Sequence, residues 1–229
     1  FTYESDLNLK VGDYVVVPFG KSKITGVVWD EFEKNNNKNF KLKTVSKKLN
    51  VTPLKKTTIK FLNWFAEYNI VPKGMALKLV LLSSNVIEKF PKEVFKTFNT
   101  NISENKIKLS EEQKKSLKKM NIFNDKFRVH VLQGTTGSGK TIVYFSALKE
   151  IIIKGFQGLI LLPEIGLTSQ FEKKFLEFFG INPAIWHSSI SKKKKQVIWS
   201  GVANGEIKVV IGARSSLFLP FKKLGLIVV

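Results

Sequence analysis

The chain has 229 residues, of which 43% are hydrophobic and 24% charged, enough for one large domain or two smaller ones with buried cores. It contains no Cys, which excludes disulfides and thiolate zinc sites within these residues, and no apolar run nears the roughly 20 residues of a membrane helix. Lysine and arginine total 38 against 18 acidic residues, a net charge of +20 with a pI near 10.0. Such a surplus attracts polyanions, and nucleic acid is the commonest one in a cytoplasm. Codon drift is the competing source of the surplus, because only Arg128 and Arg214 are arginines and Asn is abundant, as in proteins of AT-rich genomes. The opening FTYESDLNLK lacks the basic and apolar regions of a secretory signal, so a cytoplasmic protein with no membrane partner is expected.

The first elements are strands. Tyr14 to Val17 and Ile24 to Trp29 are β-branched and aromatic runs, with PFGKSK between them as a turn. Glu33 to Asn39 reads as a polar loop tip, and Phe40 to Val45 alternates apolar and polar residues as a further strand does. From Thr58 the spacing becomes helical through Ile59, Phe61, Leu62, Trp64, Phe65 and Tyr68, with Thr57 or Thr58 as cap; Pro72 and Gly74 then break the helix before an apolar piece at Met75 to Leu82.

Residues 83–106 are polar and poorly patterned, and the domain boundary is expected there, with a β-rich module over 1–82 and a second domain over 107–229. In that second part short apolar strands are predicted at Arg128 to Leu132, Gly158 to Leu162, Ala184 to His187, Lys208 to Ile211 and Leu224 to Val229. Helices fill the gaps at Lys140 to Ile153, Thr168 to Phe178 and Ser191 to about Gly201. Strands separated by such helices specify βαβ units, hence an α/β fold with a parallel sheet covered on both faces.

Gly134 to Thr141 reads GTTGSGKT, a match to G-x-x-x-x-G-K-[ST] with a predicted strand before it and a helix after it. Glycines let the amides of Gly134, Thr135, Thr136, Gly137, Ser138 and Gly139 converge on a phosphate, and the helix adds its positive end. Lys140 supplies a point charge for the β- and γ-phosphates, and Thr141 a hydroxyl for Mg²⁺; together they are the candidate catalytic residues for ATP or GTP.

Upstream of the loop lies LSEEQKKSLKKM; downstream come LLPEIGLTSQ, WHSSIS and VVIGARSSLFLPFKKLGLIVV. This ordered set resembles superfamily 2 helicases, and within them the PriA family of primosomal replication-restart helicases (primosomal protein N′). GDYVVVPFGKSKITGVV likewise resembles that family's DNA-binding domain, through Val17 to Gly20. The resemblance implies a small β-rich DNA-binding domain followed by a RecA-like P-loop NTPase lobe, and a 3′-to-5′ DNA helicase of replication restart that uses ATP and Mg²⁺. It implies as partners single-stranded and branched DNA, primosome proteins and single-strand-binding protein.

By that resemblance Gln113 contacts the adenine edge, although Ser110-x-x-Gln113 is also a capping box. Glu164 and Thr168 fall in a block that sits beside the nucleic acid, with helix capping by Thr168 and Ser169 as the alternative. Arg214 and Ser215, with Ser216, occupy the other strand-gripping loop, where a guanidinium suits bidentate phosphate contact; a structural ion pair is the alternative for Arg214. His187 beside Ser188 makes neither a metal site nor a nucleophile–base pair. Lys192 to Lys195 read as a solvated helix start, and Trp29, Trp64, Trp186 and Trp199 as core residues rather than base-stacking platforms.

Three departures from the family pattern are visible. The chain stops at LGLIVV, before the Asp-Glu-Glu-His (Walker B) block, the second lobe and the cysteine-rich zinc insertion, so the polypeptide alone is expected to be inactive and its last strand to lack partners. Zinc belongs to the intact family member, and its ligands are absent from this chain. Thr2 stands where an acidic residue is usual, and residues 83–106 are too few for the family's winged-helix domain. The alternative function is an ATP-independent module that binds DNA structures, with an inactive passenger lobe.

Overall fold

The structure, a computed structural model, describes residues 1–30, 42–81, 109–122, 126–163 and 169–229. The expected loop tip at Glu33 to Asn39 and the 83–106 linker lie outside these residues. The chain divides into two compact units, and a single cut along the sequence does not separate them. The first holds the N-terminal described residues together with Ser191–Asn204 and Phe218–Pro220; the second holds the rest.

In the first unit, β2 (Tyr14–Phe19) and β3 (Ser22–Val27) form an antiparallel hairpin in register from Tyr14↔Val27 to Phe19↔Ser22. Both strands extend into the expected PFGKSK turn, which shrinks to Gly20 and Lys21; Gly20 at φ +59° suits the first position of a two-residue hairpin loop. The short β5 (Lys47–Lys48) pairs with the other edge of β2, and β1 (Tyr3–Glu4) pairs in parallel with β4 (Lys43–Thr44). The strand expected over Phe40 to Val45 is thus reduced to two residues among those described.

Helix α1 (Lys56–Tyr68) starts earlier than the threonines predicted as its cap, and its cap position, Lys55, makes no side-chain bond. Leu54, buried just before it, has its N–H bonded to Gly12 O, which fixes where the chain can turn into the helix. Pro72 caps α2 (Lys73–Lys78), as its fixed φ allows, whereas Gly74 lies inside that helix rather than ending the previous one.

The first unit's core draws on residues far apart in sequence. Helix α6 (Lys192–Asn204) buries Trp199, whose ring meets Tyr14 edge-on at 5.8 Å and whose Nε1–H donates to Val80 O at 2.9 Å. Burial pushes the Tyr14 hydroxyl well above its ordinary pKa, and that oxygen has no partner among the described residues. Asp13, 4% exposed, accepts from Lys48 Nζ at 2.5 Å and from the Lys10 N–H at 2.8 Å. Burial alone would raise its carboxyl; these hydrogen bonds and the two lysine charges outweigh that and hold it below the usual value.

The second unit carries a four-stranded parallel sheet in the order β7 (Ala184–Trp186), β8 (Val209–Gly212), β6 (Gln157–Leu161), β9 (Leu224–Val228). It is accompanied by α3 (Glu111–Met120), α4 (Lys140–Ile153) and α5 (Ser169–Phe179). Phe145, Leu148 and Ile152 from α4 meet Phe175, Phe178 and Phe179 from α5 over Ile160, Val209 and Ile211 of the sheet. Buried Gln157 donates through Nε2 to Ile207 O and accepts from the Lys223 N–H, tying β6 to the entries of both neighbouring strands.

Two strand expectations are corrected here. The last strand does not lack a partner: β9 pairs in parallel with β6. The stretch Arg128 to Leu132 forms no strand; Val129 and Val131 are 77% and 89% exposed. Its β-branched alternation favours extended backbone, but no described strand lies alongside to take up its hydrogen bonds, and a strand exists only as one side of a ladder.

Candidate nucleotide and nucleic-acid sites

The glycine-rich loop occupies Gly134 to Gly139 and opens α4, which begins at Lys140 with Gly139 at its cap. Gly137 and Gly139 take φ of +84° and +80°, a left-handed backbone that glycine adopts without the Cβ penalty. The Ser138 N–H donates to Thr135 O at 3.2 Å and closes the turn. The N–H groups of Thr136, Gly137 and Gly139 have no acceptor among the described residues. These free donors lie next to a helix N-terminus, where backbone partial charge is positive.

Lys140 folds back over the loop, its Nζ donating to the carbonyls of Gly134 at 2.6 Å and Thr135 at 2.8 Å. The ammonium is therefore held over the loop by carbonyl dipoles, with no carboxylate in contact among the described residues, so its positive charge is not neutralised. Thr141, on the first turn of α4, is half-buried and bonds to Tyr144; burial raises the Tyr144 hydroxyl and this bond works against it. The residues suit a nucleotide triphosphate: free amides, one un-neutralised cation and a hydroxyl. Among the described residues no group of three or more His, Asp or Glu able to hold a metal exists; the Thr141 hydroxyl is placed where it could join a phosphate-bound Mg²⁺.

Gln113 reaches this loop from α3. Ser110 and Gln113 form the full capping box, and the remaining amide nitrogen of Gln113 donates to Ser138 O at 3.2 Å. The capping-box reading of Gln113 is thus met, and the same side chain also touches the phosphate loop.

Arg214 and Ser215 lie exposed on a 3-10 turn (Arg214–Phe218) directly beyond the carboxyl end of β8. No carboxylate is within salt-bridge distance of Arg214 among the described residues, so the alternative of a structural ion pair finds no support there. Ser216 differs from its neighbours: it is fully buried, and its hydroxyl donates to Ala213 O at 2.6 Å, so it shapes the turn. Gly212 is required beneath it, because a β-carbon there would come within 2.6 Å of Trp186 O and 2.9 Å of Ser216. In parallel sheets this carboxyl edge is where ligands bind. Glu164 and Thr168 come after β6 in the sequence and lie outside the described residues.

His187 Nδ1 accepts from the Ser189 N–H at 3.3 Å, a local turn contact. Lys192 to Lys194 are exposed at the start of α6, as a solvated helix start requires. The tryptophans divide. Trp186 and Trp199 are core residues and half-buried Trp29 donates to Asn63, but Trp64 is 55% exposed. Its ring is stacked with Phe61 at 6.0 Å and with Tyr68 at 5.3 Å along one face of α1. The expectation that every tryptophan packs in the core fails here because α1 carries two apolar stripes. Ile59, Leu62 and Ala66 take the buried one, and spacing alone does not say which stripe faces in.

Residues 1–82 match the family described as the 3′DNA-binding domain (3′BD) of PriA, and residues 106–225 match the family described as type III restriction enzyme, res subunit. The replication restart protein PriA of Rickettsia conorii is 41% identical over 224 residues, covering 98% of this chain and 34% of its own length. That of Rickettsia typhi is 40% identical over 233 residues, with the same two coverages, and that of Bacillus subtilis 39% identical over 106 residues, 46% of this chain and 13% of its own length. The chain spans about a third of the length of the rickettsial relatives it matches.

Proposed function

The chain belongs to the PriA family of replication restart proteins, a helicase family, and on that premise we propose that it supplies the DNA-gripping and ATP-binding parts of a 3′-to-5′ DNA helicase that assembles primosomes at stalled or branched forks. Residues 1–82 bind the DNA structure, and residues 107–229 form the RecA-like lobe. In the lobe the amides of Gly134 to Gly139 take the phosphates. Lys140 neutralises charge on the β- and γ-phosphates, Thr141 completes the Mg²⁺ shell, and Gln113 stands at the adenine side. Arg214 and Ser215, with Glu164 and Thr168, hold the single strand, and the closing of this lobe and a second one around ATP changes that grip. Phosphoryl transfer needs mainly positioning and charge neutralisation, which is what these groups offer. Single-strand-binding protein and primosome proteins are the protein partners of this reading.

The observation that carries it is the loop itself: left-handed glycines, free amides and an ammonium at one helix start. Calorimetry with Mg·ATP tests it. Lys140→Ala is expected to weaken binding at least about tenfold, ~1.4 kcal/mol, while salt-sensitive DNA binding survives. Loss of both together would count against separate nucleotide and DNA sites.

A second reading, a DNA-structure-binding module that works without ATP, draws on the separate match of residues 1–82 to a DNA-binding family. Titrating the chain with 3′-ended DNA, with and without Mg·ATP, separates the two. A DNA affinity indifferent to nucleotide favours the second.

A further inference from the structure

We propose that Gln113 is a positioning residue for the phosphate loop, one that sets the affinity for the triphosphate and not only for the base. The inference rests on the reading of Gly134 to Thr141 as a nucleotide site. A glutamine amide has two donor hydrogens on Nε2 and two lone pairs on Oε1. Here Oε1 accepts from the Ser110 N–H at 3.0 Å, and Nε2 donates to Ser138 O at 3.2 Å. Protein backbone thus engages both ends of the amide, on α3 at one end and on the loop at the other.

The contact falls at a decisive peptide. In a planar trans peptide the C=O and the following N–H point in opposite directions. Holding Ser138 O against Gln113 therefore turns the Gly139 N–H to the side away from α3, and that N–H is one of the loop donors without an acceptor among the described residues. Gly139 itself records how close the approach is. A β-carbon at this position would collide with Gln113 Nε2, so the glycine is needed for the amide as well as for its φ of +80°. The capping box fixes Gln113 in turn: its backbone N–H donates to Ser110 Oγ at 3.2 Å. The Ser110 backbone N–H, bonded to Oε1, is thereby the anchor from which one side chain orients the loop next to Lys140.

A base-free probe separates positioning from base reading. Calorimetry would compare Mg·ATP with inorganic tripolyphosphate on the unsubstituted chain, on Gln113→Met and on Ser110→Ala. Methionine fills the same volume but loses both amide bonds, the one to Ser138 O and the one from the Ser110 N–H; Ser110→Ala also weakens the helix cap and leaves both amide bonds in place. We expect Gln113→Met to weaken both ligands by the same factor, about fivefold for the lost bond to the loop, with Ser110→Ala close to the unsubstituted chain. A ligand-free readout accompanies it: amide hydrogen exchange over residues 133–140 should quicken in Gln113→Met and not in Ser110→Ala. Loss of ATP binding with tripolyphosphate binding unchanged overturns the inference in favour of base recognition. Equal losses in Gln113→Met and Ser110→Ala overturn it in favour of helix capping, and so does unchanged exchange over the loop. If the unsubstituted chain bound neither ligand, the nucleotide-site reading would fall and this inference with it; in every other case that reading stands.

Discussion

The phosphate loop and the core around Trp199 are built on opposite rules. The loop is local: eight consecutive residues, mostly exposed, whose geometry comes from glycine backbone freedom and whose working groups are main-chain amides. The core is assembled from afar. Tyr14 on a strand, Val80 after a helix and Trp199 on α6 meet although up to 185 positions separate them (199 − 14 = 185). Chemistry that uses backbone can be concentrated in a short motif, whereas burial of large rings needs surfaces that only folding brings together. The two regions should therefore fail differently when altered, the core by losing stability and the loop by losing ligand.

The largest effect is expected at the core. Trp199→Ala removes a ring that is 1% exposed together with its hydrogen bond, and should cost about 3–5 kcal/mol in chemical denaturation. A cost below 1 kcal/mol would show that the packing around Tyr14 contributes little. Gly139→Ala tests the loop with one added methyl group. Strain at φ +80° and the collision with Gln113 should cost about 1–3 kcal/mol, read chiefly as weaker Mg·ATP binding with the melting temperature little changed. An equal fall in both measurements would erase the contrast between the regions.

Asp13 provides a pH-dependent test on the core side. Its native pKa is lowered, so its contribution is full above the unfolded value of about 3.9 and is lost as pH falls through the native value. Asp13→Asn should cost about 1–2 kcal/mol at neutral pH, since Lys48 is partly exposed, and should flatten the loss of stability below pH 4. An unchanged acid profile would mean that other carboxylates control it. The smallest effect is expected at Trp64. Because its ring is 55% exposed and stacks on half-buried Phe61 and exposed Tyr68, Trp64→Ala should change stability by less than about 1 kcal/mol. A larger loss would place the stacked face of α1 among the determinants of the fold.

The strands and helices of the parallel sheet were legible because apolar runs alternate with helical spacing. Those boundaries moved by one to three residues: α4 matches its predicted span, while α6 runs on to Asn204. Arg128 to Leu132 was misread for a reason intrinsic to strands, since propensity describes one chain and a ladder requires two. The division of α1 into a buried aliphatic stripe and a more exposed aromatic one was equally out of reach, because both stripes obey the same 3.6-residue spacing.

What the sequence determined by itself was the set of features written in consecutive residues: the α/β alternation, the Gly134 to Thr141 loop with Lys140 at the helix start, and the capping box at Ser110 and Gln113. Each depends on backbone conformation and short-range hydrogen bonds, which neighbouring residues specify. Only the tertiary structure decided that α6 completes the core of Tyr14, that Ser216 is buried while Arg214 and Ser215 are exposed, and that the Gln113 amide rests on Ser138 O. Those are meetings of groups distant along the chain, fixed by packing and directional bonds that no one-dimensional pattern encodes.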